Sequence, residues 1–544
     1  MKKIFTLKNL KLLLPELLIV VLFVLSRAPS LGHDNFNTDV WKWKARSYDF
    51  GTGIFSLNFE KTLQKYHPGV TLMWVGVAGV KIFNLYADIT HQSIASGNTT
   101  FAAFGLDVVQ KALLVFVLGL TLAFCFYPLQ QLFGKRYAAF AITGIALEPL
   151  YIALTRVFHL EGMMSTFMIA SAMWLFYFLN TKKYWHLILS GVFAGFAILT
   201  KTSALYLIPF AGLSIFLWNL DEHRNLFVTI KKLWVPFGIW LGLALATFVL
   251  FWPIMWVNPV EAIQTMYRGI AVIGVEGDHS QFYFDTYVTD PGVFYYFVVL
   301  AYRASILLLI GILGSAITYI QLKDKTLKKF VLFCFIFTFF YFIQLTLPSK
   351  KLDRYIIPAM LSLSLISSTF YFWLAGRIKF NKYAKYAMFL LLSAIPLVYL
   401  YPDYFSYYNP LLGGVSKGIH VIEPKWMIGA TETVDYFDKL AAQDGSTRLY
   451  QDKSLEGMIA SGEIAKTETI GFQEKYYTQI WPFFREKGMF AIISDLTPFA
   501  IHAKYFVYPV WDDTGATEVR FSVTKIGTIK VRGADVYNVY KRNN

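Results

Sequence analysis

Apolar runs recur along this chain, and several reach 18 residues or more, such as "ALLVFVLGLTLAFCFYPL" at 112–129. A run of that length crosses a hydrocarbon core of roughly 30 Å. A helix is the element that crosses it with every backbone polar group satisfied internally. The sequence therefore predicts a polytopic α-helical membrane protein. The residues are 56% hydrophobic and only 16% charged, and mean hydropathy is +0.47. Candidate spans fall near 12–31, 107–130, 137–154, 162–180, 185–200, 203–220, 232–252, 293–320, 329–347, 355–374 and 386–401. The count is about eleven. The first 30 residues have a basic start and an apolar centre, and they read as a retained first span rather than a cleaved signal peptide.

The formal charge of +15 does not point to nucleic acid, because Lys and Arg collect in the cytoplasmic loops of membrane proteins. With a cytoplasmic N-terminus, the inner loops carry Lys135 and Arg136, Lys182 and Lys183, Arg224, Lys231 and Lys232, Lys323 to Lys329, and Arg377 to Lys385. The apolar stretch 69–86 breaks this pattern if it spans. It is therefore assigned to the outer surface as a juxtamembrane helix, inside a first outer loop of about 32–106. Residues 1–401 form the membrane module. After Tyr401 the chain turns polar, with the strand-like runs "MFAIIS", "YFVYPVW", "RFSVTKI" and "VYNVY" and a helical "ATETVDYFDKLAAQ". Residues 402–544 are expected to be a small extracytoplasmic α/β domain. Cys125 and Cys334 both sit in apolar runs, so no disulfide framework or cysteine zinc site follows.

Several ionisable residues fall on the outer side, against the charge rule. They are Lys42, Lys44, Arg46, Arg156, Lys201, Arg268, and Lys350, Lys351 and Arg354 in "LPSKKLDRYIIPAM". Acids accompany them: Asp34, Asp39, Asp49, Glu148, Glu161, Glu276, Asp278 and Asp353. Charges at a membrane edge are costly and mark function. An outer basic cluster suits an anionic head group such as a lipid phosphate. Snorkelling side chains and internal pairs compete with that reading. The outer histidines His33, His67, His159 and His279 are too scattered for a metal signature, and structural or hydrogen-bonding roles are expected of them.

These stretches, taken in order, resemble the GT-C fold glycosyltransferases that use polyprenyl-phosphate sugars. The protein mannosyltransferases and the lipid A aminoarabinose transferases are the nearest branch. The carriers are "NTDVWKWKARSYDF", "KYHPGVTLMW", "EPLYIALTRVFHLEGMMSTF", "GVFAGFAILTKTSALYLIPF", "KKLDRYIIPAM" and "YPDYFSYYNPLLGG". The resemblance implies transfer of a sugar from a polyprenyl phosphate to a hydroxyl on the outer face of the plasma membrane, with inversion. Asp39 is then the base, with Asp34 as its alternative, since Val40 replaces the acid that often follows. Arg354, Lys351, Lys350, Lys201 and Lys42 are the donor-phosphate candidates. Arg354 leads, because a guanidinium fork fits phosphate. Arg156, His67 and His279 support the site, and Asp353 steers the basic cluster. Glu161 either orients a basic residue or binds a divalent cation with Asp39; the sequence carries no ligand motif that commits to a metal. The partners implied are the lipid-linked donor, membrane lipids and an acceptor protein, lipid or glycan. A transporter or lipid flippase is the alternative, although the charges lie at span ends and no repeat is evident.

Overall fold

A computed structural model describes residues 7–92, 99–275, 280–449, 455–495, 497–513 and 522–543. Its membrane part is built on α1 (Leu7–Leu25), α2 (Thr38–Phe55), α3 (Val70–Ile89), α4 (Thr99–Ala146), α5 (Pro149–Thr155), α6 (Leu160–Thr181) and α7 (Tyr184–Thr200). These are followed by α8 (Leu207–His223), α9 (Leu226–Phe251), α10 (Ile254–Val257), α11 (Pro259–Arg268), α12 (Tyr295–Arg303) and α13 (Ile306–Gln321). The bundle ends with α14 (Lys325–Thr346), α15 (Ile357–Arg377) and α16 (Lys382–Tyr399). Helix α6 is the central staff: its 18-residue apolar window is wholly buried. Small residues let neighbours approach closely. A Cβ on Gly195 of α7 would stand 2.6 Å from Thr247 of α9, for example.

Among the described residues, seven helices have the length and composition of a span, or eight if the bent pair α12–α13 is one. The eleven expected spans are distributed differently. The segments 107–130 and 137–154 share one helix, α4, broken at Gly134 with φ 83°, and the second ends at Ala146 before the separate α5. The segment 293–320 is two helices bent by 117°. The bend places Ser305 as the N-cap of α13, where its hydroxyl accepts from Leu308 N–H. Segments near 12–31, 185–200 and 386–401 are shorter apolar helices.

Helix α3 is long and apolar enough to span, but its contacts run along one end of the bundle. Gly69 N–H donates to Thr200 O at the end of α7. Trp74 Nε1 donates to Phe251 O at the end of α9. Gly79 lies against Gln110, and Phe83 against Gly105, both in the first turns of α4. Start, middle and finish of α3 therefore meet the same end, termed here the upper end. The basic loops gather at the other. There Lys182 pairs with Glu222 at 2.9 Å, Lys329 with Asp221 at 2.7 Å, and Arg377 reaches Gln321 at 3.0 Å.

A small hairpin, β1 (Gln281–Tyr283) with β2 (Thr286–Val288), lies on the upper end. Beyond α16 come α17 (Gly414–Val421), α18 (Ala430–Gln443), α19 (Leu455–Ala460), α20 (Glu474–Glu486) and α21 (Thr497–Ala500). With them is a five-stranded sheet in the order β4-β3-β5-β7-β6. Its strands are β3 (Thr469–Phe472), β4 (Phe490–Ile493), β5 (Tyr505–Pro509), β6 (Val523–Val531) and β7 (Ala534–Arg542). The first three run parallel, and β5, β7 and β6 pair antiparallel. Contacts fasten this domain to the upper end. Trp41 Nε1 donates to Thr478 O at 2.6 Å, and Asn35 Nδ2 to Met427 O at 3.0 Å.

Candidate active site

Four chain segments end at one point on the upper end. Helix α2 begins there because Asn37 caps it, its Oδ1 accepting from the N–H groups of Asp39 and Val40, each at 2.9 Å. Asp39 is thus fixed in the first turn. Helix α6 begins there with His159 as N-cap and Glu161 in its first turn, where the helix dipole favours a carboxylate. Lys201 follows the last residue of α7 in extended backbone. Arg354 sits in the single turn Asp353–Ile356 that leads into α15.

Glu161 is the hub. Its Oε1 accepts from Lys201 Nζ at 2.9 Å and from Arg354 Nε at 3.2 Å, and its Oε2 pairs with His159 Nδ1. The other face of the imidazole turns to Asp39: His159 Nε2 lies 3.4 Å from Asp39 Oδ2, and Arg354 Nη2 lies 3.8 Å from the same oxygen. Aromatic rings wall the cluster. Lys201 Nζ is 4.0 Å from the centre of the Tyr355 ring, and the Arg354 guanidinium is 4.8 Å from that of Trp426. The side chain of Glu161 is 2% exposed, that of Arg354 13% and that of Asp39 30%. Asp39 is the carboxylate of the cluster that solvent, or a substrate, can reach.

Electrostatics follow from this packing. Burial would raise the Asp39 pKa, but the hydrogen bond and charge of His159, with Arg354 beside it, overcome this and hold the carboxyl well below its ordinary range. Burial would lower that of His159, but the charge of Glu161 and the bonds to Asp39 and Glu161 raise it. Lys201 is likewise lowered by burial and raised overall by Glu161. His67 takes the opposite course: burial first, then Lys201, push it well below the usual histidine range. As a neutral ring it shares a hydrogen bond with Thr202 Oγ1 at 2.9 Å. With His159 protonated, two carboxylates face three cations, a net positive pocket around one reachable carboxylate.

The other expected site residues stand elsewhere. Arg156 and Asp34 pair with each other, Nη2 to Oδ2 at 2.8 Å, and Arg156 also donates to the carbonyls of Arg27 and Pro29. Asp34 continues through Lys111 and Asp107 to Lys44 in a buried ionic chain that ties α2 and α4 to the first loop. Asp353 does not direct its basic neighbours toward the pocket. Its Oδ2 pairs with Arg303 at 2.8 Å, while Oδ1 accepts the Arg354 N–H. Lys351 is 1% exposed and is engaged by Asp290 and the Pro348 carbonyl instead of by the cluster around Glu161. Lys350 is half-buried, and its charge reaches His67. Lys42 is exposed, 3.9 Å from Asp39. His279, Glu276 and Asp278 lie outside the described residues.

Sequence reasoning assigned His159 a structural or hydrogen-bonding part, not a place in the site, and did not name Trp426 or Tyr355. "HLE" at a helix start was a signal for His159. Trp426 comes from the polar region far along the chain and carried none. Among the described residues no group of three or more His, Cys, Asp or Glu is placed to hold a metal. Glu161 already gives both oxygens to Lys201, Arg354 and His159, so the arrangement does not fit a cation shared with Asp39.

Comparison with known proteins gives one family match inside the membrane part and structural matches along nearly the whole chain. The family model described as dolichyl-phosphate-mannose-protein mannosyltransferase matches residues 99–256, which include His159, Glu161 and Lys201. The chain resembles that family, as its motifs imply. No curated protein matches it. Among solved structures, ArnT from Cupriavidus metallidurans bound to undecaprenyl phosphate is similar, with 14% identity over 97% of each chain and a TM-score of 0.49. The oligosaccharyltransferase AglB from Archaeoglobus fulgidus, in complex with an inhibitory peptide and a dolichol-phosphate, matches 94% of this chain and 70% of its own at 12% identity, TM-score 0.40.

Proposed function

We propose that this chain is an integral-membrane glycosyltransferase that moves a sugar from a polyprenyl-phosphate donor to a hydroxyl acceptor on the extracytoplasmic face, with inversion. The observation that carries the reading is the pairing of one reachable carboxylate, Asp39, with the fixed cations His159, Lys201 and Arg354. The matched family's description, which names a lipid-phosphate sugar, supports the donor class. The basic loops at the opposite end support an N-terminus and loops in the cytoplasm, with Asp39 outside.

In this mechanism the Asp39 carboxylate accepts the proton of the acceptor hydroxyl as its oxygen attacks the anomeric carbon. The bond from that carbon to the phosphate oxygen breaks, and its electron pair leaves with the phosphate. Attack opposite the leaving group inverts the centre. Arg354 meets the developing phosphate charge, supported by Lys350 and Lys42 at the rim. Glu161 fixes Arg354 and Lys201, so the donors are oriented before the reaction and need no rearrangement during it. His159 keeps Asp39 ionised and aimed. The test is transfer from a radiolabelled polyprenyl-phosphate sugar by purified protein. Full transfer by Asp39→Asn would sink the assignment. Lipid or sugar movement without transfer would favour a flippase.

A further inference from the structure

A large cavity of the described structure lies away from Asp39, and none of its lining residues belongs to the cluster around Glu161. It measures about 820 Å³ and opens between α13, α15 and α16, under the soluble domain. Its walls are the apolar faces of α13 at Leu307, of α15 at Tyr371 and of α16 at Phe389 and Pro396, with Gly144 of α4 at the back. Serines occur there, but they do not make it polar. Ser364 donates to Met360 O, Ser368 to Ser364 O and Ser393 to Phe389 O, each within its own helix. Glu148, also in the wall, gives both oxygens to Ser305, accepting from its N–H and its hydroxyl at 2.7 Å. A space so lined excludes water in favour of hydrocarbon.

Its top differs. Arg532, at the turn between β6 and β7, reaches down to the end of α16, donating to Leu400 O and Tyr401 O. Among the described residues no carboxylate pairs with it. Asp403, which feels the charge of Arg532, is committed to the N–H groups of Gly429 and Phe405. Beside Arg532 the cavity is rimmed by Gly413, Gly414 and Ser416, at the start of α17. From Leu400, the C-cap of α16, down to Phe389 is eleven residue steps, roughly 16 Å of depth at 1.5 Å per residue. The site thus has a cationic rim at the upper end and an apolar shaft pointing into the bundle. That is the polarity of a bilayer lipid lying parallel to the helices.

We infer that this cavity holds an anionic phospholipid of the bilayer, its phosphate at Arg532 and one acyl chain between α13, α15 and α16. The choice of a bulk lipid over the reacting donor rests on a wall. Phe405 lines the cleft at Arg354 and Trp426, whereas Tyr407 lines the cavity, and Arg303 clamps both carbonyls from 3.1 and 2.7 Å. A head group at Arg532 stands on the far side of that segment from Asp39. The lipid would fill the seam where the soluble domain meets α16. This inference needs only the membrane setting of the bundle, not the transfer reaction.

The test uses full-length protein in neutral detergent, with phosphatidylglycerol as the probe and phosphatidylcholine as the uncharged-head control. Binding is read by native mass spectrometry and by the shift in thermal unfolding midpoint. Wild type should retain phosphatidylglycerol in preference to phosphatidylcholine. Arg532→Gln should bind it about fivefold more weakly, the value of one basic residue at a lipid surface. Ser393→Phe, which fills the shaft, should lose the retained lipid of either kind. Equal retention by wild type and both variants would overturn the site. Displacement of phosphatidylglycerol by equimolar polyprenyl phosphate would overturn the choice of occupant. Arg532→Gln should still transfer sugar while Asp39→Asn does not, so a failure of the transferase reading and a failure of this one give different results.

Discussion

At the scale of single residues, the cluster around Glu161 separates groups that act from groups that hold. Asp39→Asn keeps the shape of the side chain and removes the proposed base. Transfer should fall by about 10²–10⁴-fold with donor binding retained, measured as single-turnover rate against donor affinity. Arg156→Met should behave differently. It leaves Asp34 with Lys111 as its remaining cation and the carbonyls of Arg27 and Pro29 without their donor, which costs about 1–3 kcal/mol. Folded yield and unfolding midpoint should drop, while the rate per folded molecule stays near wild type. The histidine supplies a pH dependence. Its pKa is raised in the folded protein, so the stabilisation it contributes is complete below the ordinary histidine range and is lost as pH rises through the raised value. Asp39 runs the other way: lowered on folding, its contribution is complete above the ordinary carboxylate range and fades as pH falls through the lowered value. An unfolding midpoint followed as pH rises above the ordinary histidine range should fall in wild type and be flatter in His159→Gln.

At the scale of elements, the site is made of helix ends. Asn37 starts α2 and thereby sets where Asp39 points. Asn37→Ala should cost about 0.5–2 kcal/mol through the lost cap and lower the rate as well, since Asp39 rides on the same turn. A merely stabilising cap would leave the rate of the folded fraction unchanged. The entry to α3 is as tightly determined. Gly69 has φ +62° and sits where a Cβ would fall 2.1 Å from the Trp43 ring of α2. No side chain but hydrogen fits both conditions. Charge counting in the sequence expects α3 to be a surface helix; the helix is long and apolar enough to span, and its contacts run along the upper end. The sequence does not anticipate the bend between α12 and α13. A continuous apolar run gives no sign that Arg303 will turn inward to Asp353 and the carbonyls of Phe405 and Tyr407.

At the scale of the whole molecule, the pocket is completed from outside the bundle. Trp426 reaches His159 and Arg354 from the segment after the last membrane helix, with ring centres of Trp426 and His159 5.1 Å apart. A chain ending at Tyr401 should therefore lose transfer even where it inserts, which comparison with Trp426→Ala in the full chain would check. The orientation offers a direct test. Ser56→Cys on the upper end and Lys323→Cys at the opposite end should react with an impermeant maleimide from opposite sides of the membrane. Both native cysteines are buried and leave the background low.

The sequence by itself determined that this is a helical membrane protein with its basic loops together at one end, because apolar length and charge asymmetry are local properties that no packing alters. It also marked Asp39, Glu161, Lys201 and Arg354 as candidates, in company with Arg156, Asp34, Lys42, Lys350, Lys351 and Asp353, since an ionisable group on the outer side is visible wherever the chain later takes it. Only the tertiary structure decided how those groups combine. Arg156, Lys351 and Asp353 have the same composition signal as Arg354, yet each is spent on a partner from a distant segment. Pairing depends on which helix ends meet, and that is fixed by helix packing. The sequence spacing of the charges does not contain it.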